Sequence, residues 1–155
     1  MIRYIKLVAV LGILGFAAAG PGIYGAAGGD VNMKKLMGNN FSHLQKILVD
    51  LIRSDYATVA HDVQVIGDHA GKLSAAVPPG ARKHRELFLS MAFNLKVHAD
   101  NLRMIAELLK EHDREAAPDK LLKVDYLRNS AAAHFGQMVT TCVACHNQFR
   151  RRVLK

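Results

Sequence analysis

The sequence is poor in residues that interrupt a helix or staple a small fold. Its 155 residues hold four prolines and two cysteines. The prolines are confined to the leader before Asp30, to Pro78-Pro79-Gly80 and to Pro118, which leaves long proline-free segments between them. With no second cysteine pair, a four-ligand structural zinc site has no donors. No stretch alternates at the period of a strand, so the βαβ setting of a thioredoxin-like pair is missing too. No carboxylate pair, Ser/His/Asp set or phosphate-binding glycine loop stands out, and nothing makes a case for an enzyme. No internal repeat is present.

The formal net charge is +8. The basic residues are spread along the chain rather than gathered, which excludes the usual footprint of a nucleic-acid binder. Arg150-Arg151-Arg152 is the densest run, and cations at a helix C-terminus complement its dipole.

The N-terminus reads as an export signal. Arg3 and Lys6 form a short positive region, and Leu7 to Ala19 is an apolar run too short to span a membrane comfortably. Ala17-Ala18-Ala19 offers a small-residue cleavage site before Gly20. The expected organisation is a signal peptide over 1–19, a flexible Gly/Ala-rich leader over 20–30 and one domain over 31–155. The alternative for 1–19 is an uncleaved anchor, the one route by which the chain would touch a membrane.

Apolar residues recur at helical period through the rest of the chain, and the breakers divide it into four amphipathic segments. The first helix is predicted from about Val31 to Arg53, with a stripe of Met33, Met37, Phe41, Leu44, Leu48 and Leu51. Ser54 or Asp55 can cap the second, which carries Tyr56, Val59, Val63, Ile66, Ala70 and Leu73. After Pro78-Pro79-Gly80 the third begins at the basic run Arg82-Lys83-His84-Arg85 and carries Leu87, Met91, Leu95, His98, Leu102, Ile105 and Leu109. Asp119 can cap the fourth, with Val124, Leu127, Ala131, Phe135, Met138, Cys142, Cys145 and Phe149. The pattern predicts an all-α domain, an antiparallel four-helix bundle of the kind that holds cofactors in its core.

One motif names a chemistry. Cys142-Val143-Ala144-Cys145-His146 has the Cys-x-x-Cys-His spacing of c-type haem attachment. On a helix, Cys142 and Cys145 share a face, so each thiol can add to one of two neighbouring vinyl groups. His146, four residues after Cys142, shares that face and becomes the proximal iron ligand. Haem c is attached outside the bacterial cytoplasm, so motif and export signal support each other. The cysteines also continue the core stripe of the last helix, which drives the porphyrin into the bundle interior.

The chain resembles the cytochrome c-prime family, the class II c-type cytochromes, over about Asn32 to Arg152. The terminal segment Thr141-Cys142-Val143-Ala144-Cys145-His146 with Phe149-Arg150 is similar to the family's last helix. The segment from Met37 through Phe41, His43-Leu44-Gln45 and Leu48 is similar to the first helix of its six-coordinate, cytochrome c-556-like members. The resemblance implies one covalent haem c and Met37 as the distal iron ligand. It also implies a homodimer through the first two helices. One turn before Met37 the chain has Met33 where five-coordinate members carry Arg, and Lys34 or Lys35 is the cation left for a haem propionate.

The expected haem pocket is walled by Met33, Phe41, Phe135 and Met138. Met33 or an open face are alternatives to Met37 at the iron, and His98, His43 and His61 are the histidine rivals. His69, His84, His112 and His134 read as surface or loop residues. Met/His ligation implies a periplasmic one-electron carrier, whose basic surface suits an acidic redox partner protein. An open face lined by Phe41 and Leu44 implies instead a binder of nitric oxide or carbon monoxide. A helical module without haem is the remaining reading.

Overall fold

A computed structural model describes residues 32–112 and 121–153, with the side chains of 150–153 left aside. The described residues form four α-helices and one 3-10 helix, and no strand. They are α1 (Met33–Arg53), α2 (Tyr56–Ala75), a 3-10 helix (Pro79–His84), α3 (Arg85–His112) and α4 (Leu121–Val153). The leader, the Pro118-Asp119 region and the side chains of the terminal arginine run lie outside the described residues.

Local chemistry sets the boundaries. The Asn32 side chain accepts a hydrogen bond from the Lys35 backbone N–H at 3.0 Å and starts α1. At the other end Ser54 turns left-handed, with φ 58°. The Ser54 and Asp55 backbone N–H groups close the last turn onto the carbonyls of Leu51 and Asp50 at 3.2 and 2.9 Å. Asp55 then caps α2, accepting from the Thr58 N–H at 3.2 Å and the Thr58 hydroxyl at 2.9 Å. The two candidate caps therefore divide the work, one ending α1 and the other starting α2.

The third helix starts later than the sequence predicts. Pro78 is extended and Pro79 opens a 3-10 helix that runs to His84, so the α-helix begins at Arg85. Pro79 has no N–H to contribute to a ladder, and the tighter turn buries Ala81 completely.

Consecutive helices pack on one another, α2 with α3 most extensively, whereas α1 and α4 barely meet. The α1–α2 pair is antiparallel, with His43 against Asp62 and Asn40 against His69. The α3–α4 pair is antiparallel as well, with His98 against His134 and Phe88 against Phe149. The main core joins all four helices through Ile47, Val63, Ile66, Leu102, Leu109 and Met138. A smaller core near the other end joins Leu36, Leu73, Ala81, Phe88, Ala92 and Phe149. There the Phe88 and Phe149 rings meet edge to face, 5.4 Å apart at 83°.

The α2 and α4 stripes are buried or half-buried as the period predicts. The α1 stripe is so only in part, with Met33, Met37, Leu44 and Leu51 half-buried. Leu36, Asn40 and Ile47 are the buried residues of that helix, while Phe41 is 62% and Leu48 48% exposed. The reason is that α1 presses its Leu36–Asn40–Ile47 line onto the rest of the bundle. The Met37–Phe41–Leu44–Leu48 edge is left facing the gap toward α4. On α3, Leu87 is exposed and its neighbour Phe88 takes the buried place.

Candidate functional site

The gap between α1 and α4 is a cleft of about 470 Å³, within the size range of small-ligand sites. Its walls are almost entirely apolar and come from α1, α2, α3 and α4. Cys142, Cys145 and His146 line it from α4, Met37, Phe41 and Leu44 from α1, and Phe135 from the middle of α4. A second recess of about 360 Å³ shares Met37, Phe41, Phe88, Cys145 and His146 with it, and adds Met33 and Lys34. The two adjoin along these five shared residues and together make a trough.

Helical spacing puts the three motif residues on this trough. Cys142 and Cys145 are three residues apart, His146 is one further, and all three project from the same side of α4. The thiols are free and half-buried. Burial pushes the Cys142 thiol up to about 11, with Cys145 beside it adding to the shift. Burial raises Cys145 as well, so both are thiols rather than thiolates at neutral pH. His146 is exposed at the lip. Met37, half-buried on the facing helix, brings a thioether to the same trough.

Of the four residues expected to wall the pocket, three line one or other of these cavities. Phe41 and Phe135 line the larger cleft and Met33 the smaller recess. Met138 does not. It is fully buried in the main core, on the same face of α4 as Cys142 and one turn before it. Lys34, one of two cations expected near a carboxylate, borders the recess, whereas Lys35 lies outside both.

The histidine rivals of Met37 are engaged elsewhere. His43 and His61 lie 3.1 and 3.2 Å from the Asp62 carboxylate. His98 meets His134 at 3.2 Å between their Nδ1 atoms. None of the three lines the trough. His69 and His134, read from sequence as surface residues, are half-buried and partnered across helices. Burial is the main cause that lowers the pKa of each, with a neighbouring cationic or imidazole group adding to it. Sequence reasoning also missed Asn40, a buried amide in the cleft wall whose oxygen meets His69 Nδ1 at 2.6 Å. No local signal marks it, because its partner is on another helix.

Among the described residues, no three His, Cys, Asp or Glu side chains gather as a metal cage. No helix among them is long and apolar enough to cross a membrane. The chain matches no protein-family model, and neither the curated proteins nor the solved structures contain a match to it.

Proposed function

We propose that this chain is an exported c-type cytochrome, an antiparallel four-helix bundle that carries one covalent haem in the α1–α4 trough and transfers single electrons. One observation carries the reading. Cys142, Cys145 and His146 open onto a single apolar trough, and a thioether faces them from α1. A bare cation would need several protein donors converging on one point. A flat apolar macrocycle that brings four nitrogen ligands needs only anchors at its edge, axial donors and greasy walls. The donor set fits the second.

Each residue then has a role. Cys142 and Cys145 would hold the haem through thioethers, each thiol adding whole, sulfur and proton, across one vinyl group, so that no oxidant would be needed. His146 and Met37 would be the protein's donors to the iron, through a ring nitrogen and a thioether sulfur, and a thioether would favour the ferrous state and raise the potential. Lys34 is the cation available to a propionate. The apolar walls exclude water, so little solvent has to reorganise when the iron changes charge. The haem would supply the one-electron chemistry, and the protein its two donors and a site shielded from water. The positive net charge suits an acidic redox partner in the periplasm. Exposed Val49 and Ile52 on α1 support pairing of two copies through the first two helices.

The test is an absorption spectrum with one variant. Haem in the exported protein should resist acid-acetone extraction, and Cys142→Ala with Cys145→Ala should release it. The ferric protein should be low spin, with the weak far-red band of Met–iron bonding. Met37→Ala should abolish that band, lower the potential and open the iron to carbon monoxide. A high-spin wild type left unchanged by Met37→Ala would replace electron transfer by the binding of nitric oxide or carbon monoxide. An exported protein with free thiols and no haem would end both readings.

A further inference from the structure

Asn40 is a polar residue in an apolar wall. It is 4% exposed, sits one helical turn after Met37, and lines the same cleft as Cys142 and His146. A buried amide needs partners at both ends, an acceptor oxygen and two N–H donors. The oxygen has one, since Nδ1–H of His69 donates to it at 2.6 Å. Burial first, then Lys72 and His43, hold the His69 pKa below its ordinary value against the opposing pull of Asp68. The ring is therefore neutral at pH 7, and the short contact to a carbonyl oxygen fixes its proton on Nδ1. The Asn40 amide nitrogen has no hydrogen-bond partner among the described residues. With the oxygen tied to α2, the –NH2 is the end left for the cleft.

Resting on the haem reading above, the geometry points to Asn40 as the hydrogen-bond donor for a small anionic ligand that displaces Met37 at the iron. An anion entering a wall of Phe41, Leu44, Leu95 and Phe135 alone would lose its hydration with nothing in return. A fixed N–H in a dry site returns a charge-assisted bond, which is stronger there than in water. Polarity and donors on the distal side decide which ligands a haem takes, and Asn40 adds anions to the class that apolar walls alone admit. His69 is a positioning residue. Without it the amide is free to turn its oxygen inward, and an oxygen repels an anion.

Cyanide and carbon monoxide are the probes, used on haem-loaded Met37→Ala protein so that the distal face is open. Asn40→Leu should weaken cyanide binding to the ferric form by roughly ten- to a hundredfold, the range for one hydrogen bond to a charged acceptor. Carbon monoxide affinity should change little. The carbon monoxide stretch should rise, because a donor near its oxygen has been removed. His69→Leu, which keeps Asn40, should move cyanide affinity and the stretch in the same direction. His69→Gln, whose amide can donate to the same oxygen, should restore both. Equal cyanide affinity and an unmoved stretch in both Leu variants would overturn the inference while leaving the cytochrome reading intact. A wild-type protein without covalent haem would overturn the two together.

Discussion

Asp62 shows how one buried residue ties two helices together. Its side chain is 1% exposed on α2. His43 and His61 lie 3.1 and 3.2 Å from one carboxylate oxygen, and the Lys46 ammonium lies 3.2 Å from the other. Burial alone would raise its pKa, but the contacts from His61, Lys46 and His43 outweigh burial and hold it below the ordinary carboxylate value. A carboxylate depressed in the folded state stabilises above its unfolded pKa, and that contribution is lost as pH falls through the folded value. Asp62→Asn should therefore lower unfolding free energy by about 1–3 kcal/mol at pH 7, measured by denaturant melts. It should also flatten the acid limb of the stability curve, and an unchanged melt would mean that water replaces the carboxylate at no cost. His134 has the opposite chemistry and the same sign. Burial and then His98 lower its pKa, so the unfolded chain takes up that proton first. Stability should be complete above the ordinary histidine pKa and decline as pH falls from there toward the folded value. His134→Leu should reduce the decline in melting temperature between about pH 7 and pH 5, and His69 should account for part of what remains.

Ser54 is the weak joint between α1 and α2. It is the one non-glycine residue among those described with a positive φ, 58°, a conformation that costs an L residue roughly 1 kcal/mol. Ser54→Gly should stabilise the protein by about 0.5–1 kcal/mol. A loss of stability would mean that the 3.3 Å contact from the Tyr56 hydroxyl to the Ser54 side chain outweighs the backbone strain. The turn was legible from sequence, since Ser54 and Asp55 are the residues a cap requires. So was α2, whose six stripe residues are all buried, because that helix is flanked by α1 and α3 and carries a single apolar face. The α1 stripe held only in part, with Phe41 and Leu48 exposed, for a physical reason. That helix has two apolar edges, one pressed on the bundle and one bordering the trough, and periodicity does not rank them. The cavity edge reads as the stronger stripe because Asn40 interrupts the packed one. His69 and His134 were illegible for a related reason. Their partners lie 29 and 36 residues away, and no local pattern reports a contact across helices. At the site, the motif placed Cys142, Cys145 and His146 on one face and the structure puts all three on one trough with Met37. Met138, expected beside the motif, lies in the main core and lines neither cavity, because the α4 stripe that carries it also faces the core.

The architecture as a whole has a firm part and a loose part. α2, α3 and the first half of α4 supply most of the main core, to which α1 adds Ile47, and α1 packs on α2 but hardly touches α4. The cleft of about 470 Å³ occupies the seam where α1 would otherwise close the bundle. Side chains that border such a gap lack contacts on one side, and the loss scales with the volume left open. Local opening should therefore begin at this seam, since elements with few buried apolar contacts open at the lowest free energy. Native-state amide exchange on protein prepared without haem should show α1 exchanging first, with protection greatest in α2 and α3 around Val63, Ile66 and Leu102. Loading the trough should change the order. A rigid macrocycle anchored at Cys142 and Cys145 and reaching Met37 would join α4 to α1, and protection of α1 should rise most at Met37 to Leu48. The Ile47 amide, on the side of α1 packed into the core, should gain as much as its neighbours on the trough side, because the helix opens as a unit. If α1 is already as protected as α2 without haem, the seam is not the weak element. If haem loading leaves α1 unchanged while α4 alone gains protection, the group is held from one side only, and Met37 is not a ligand to it.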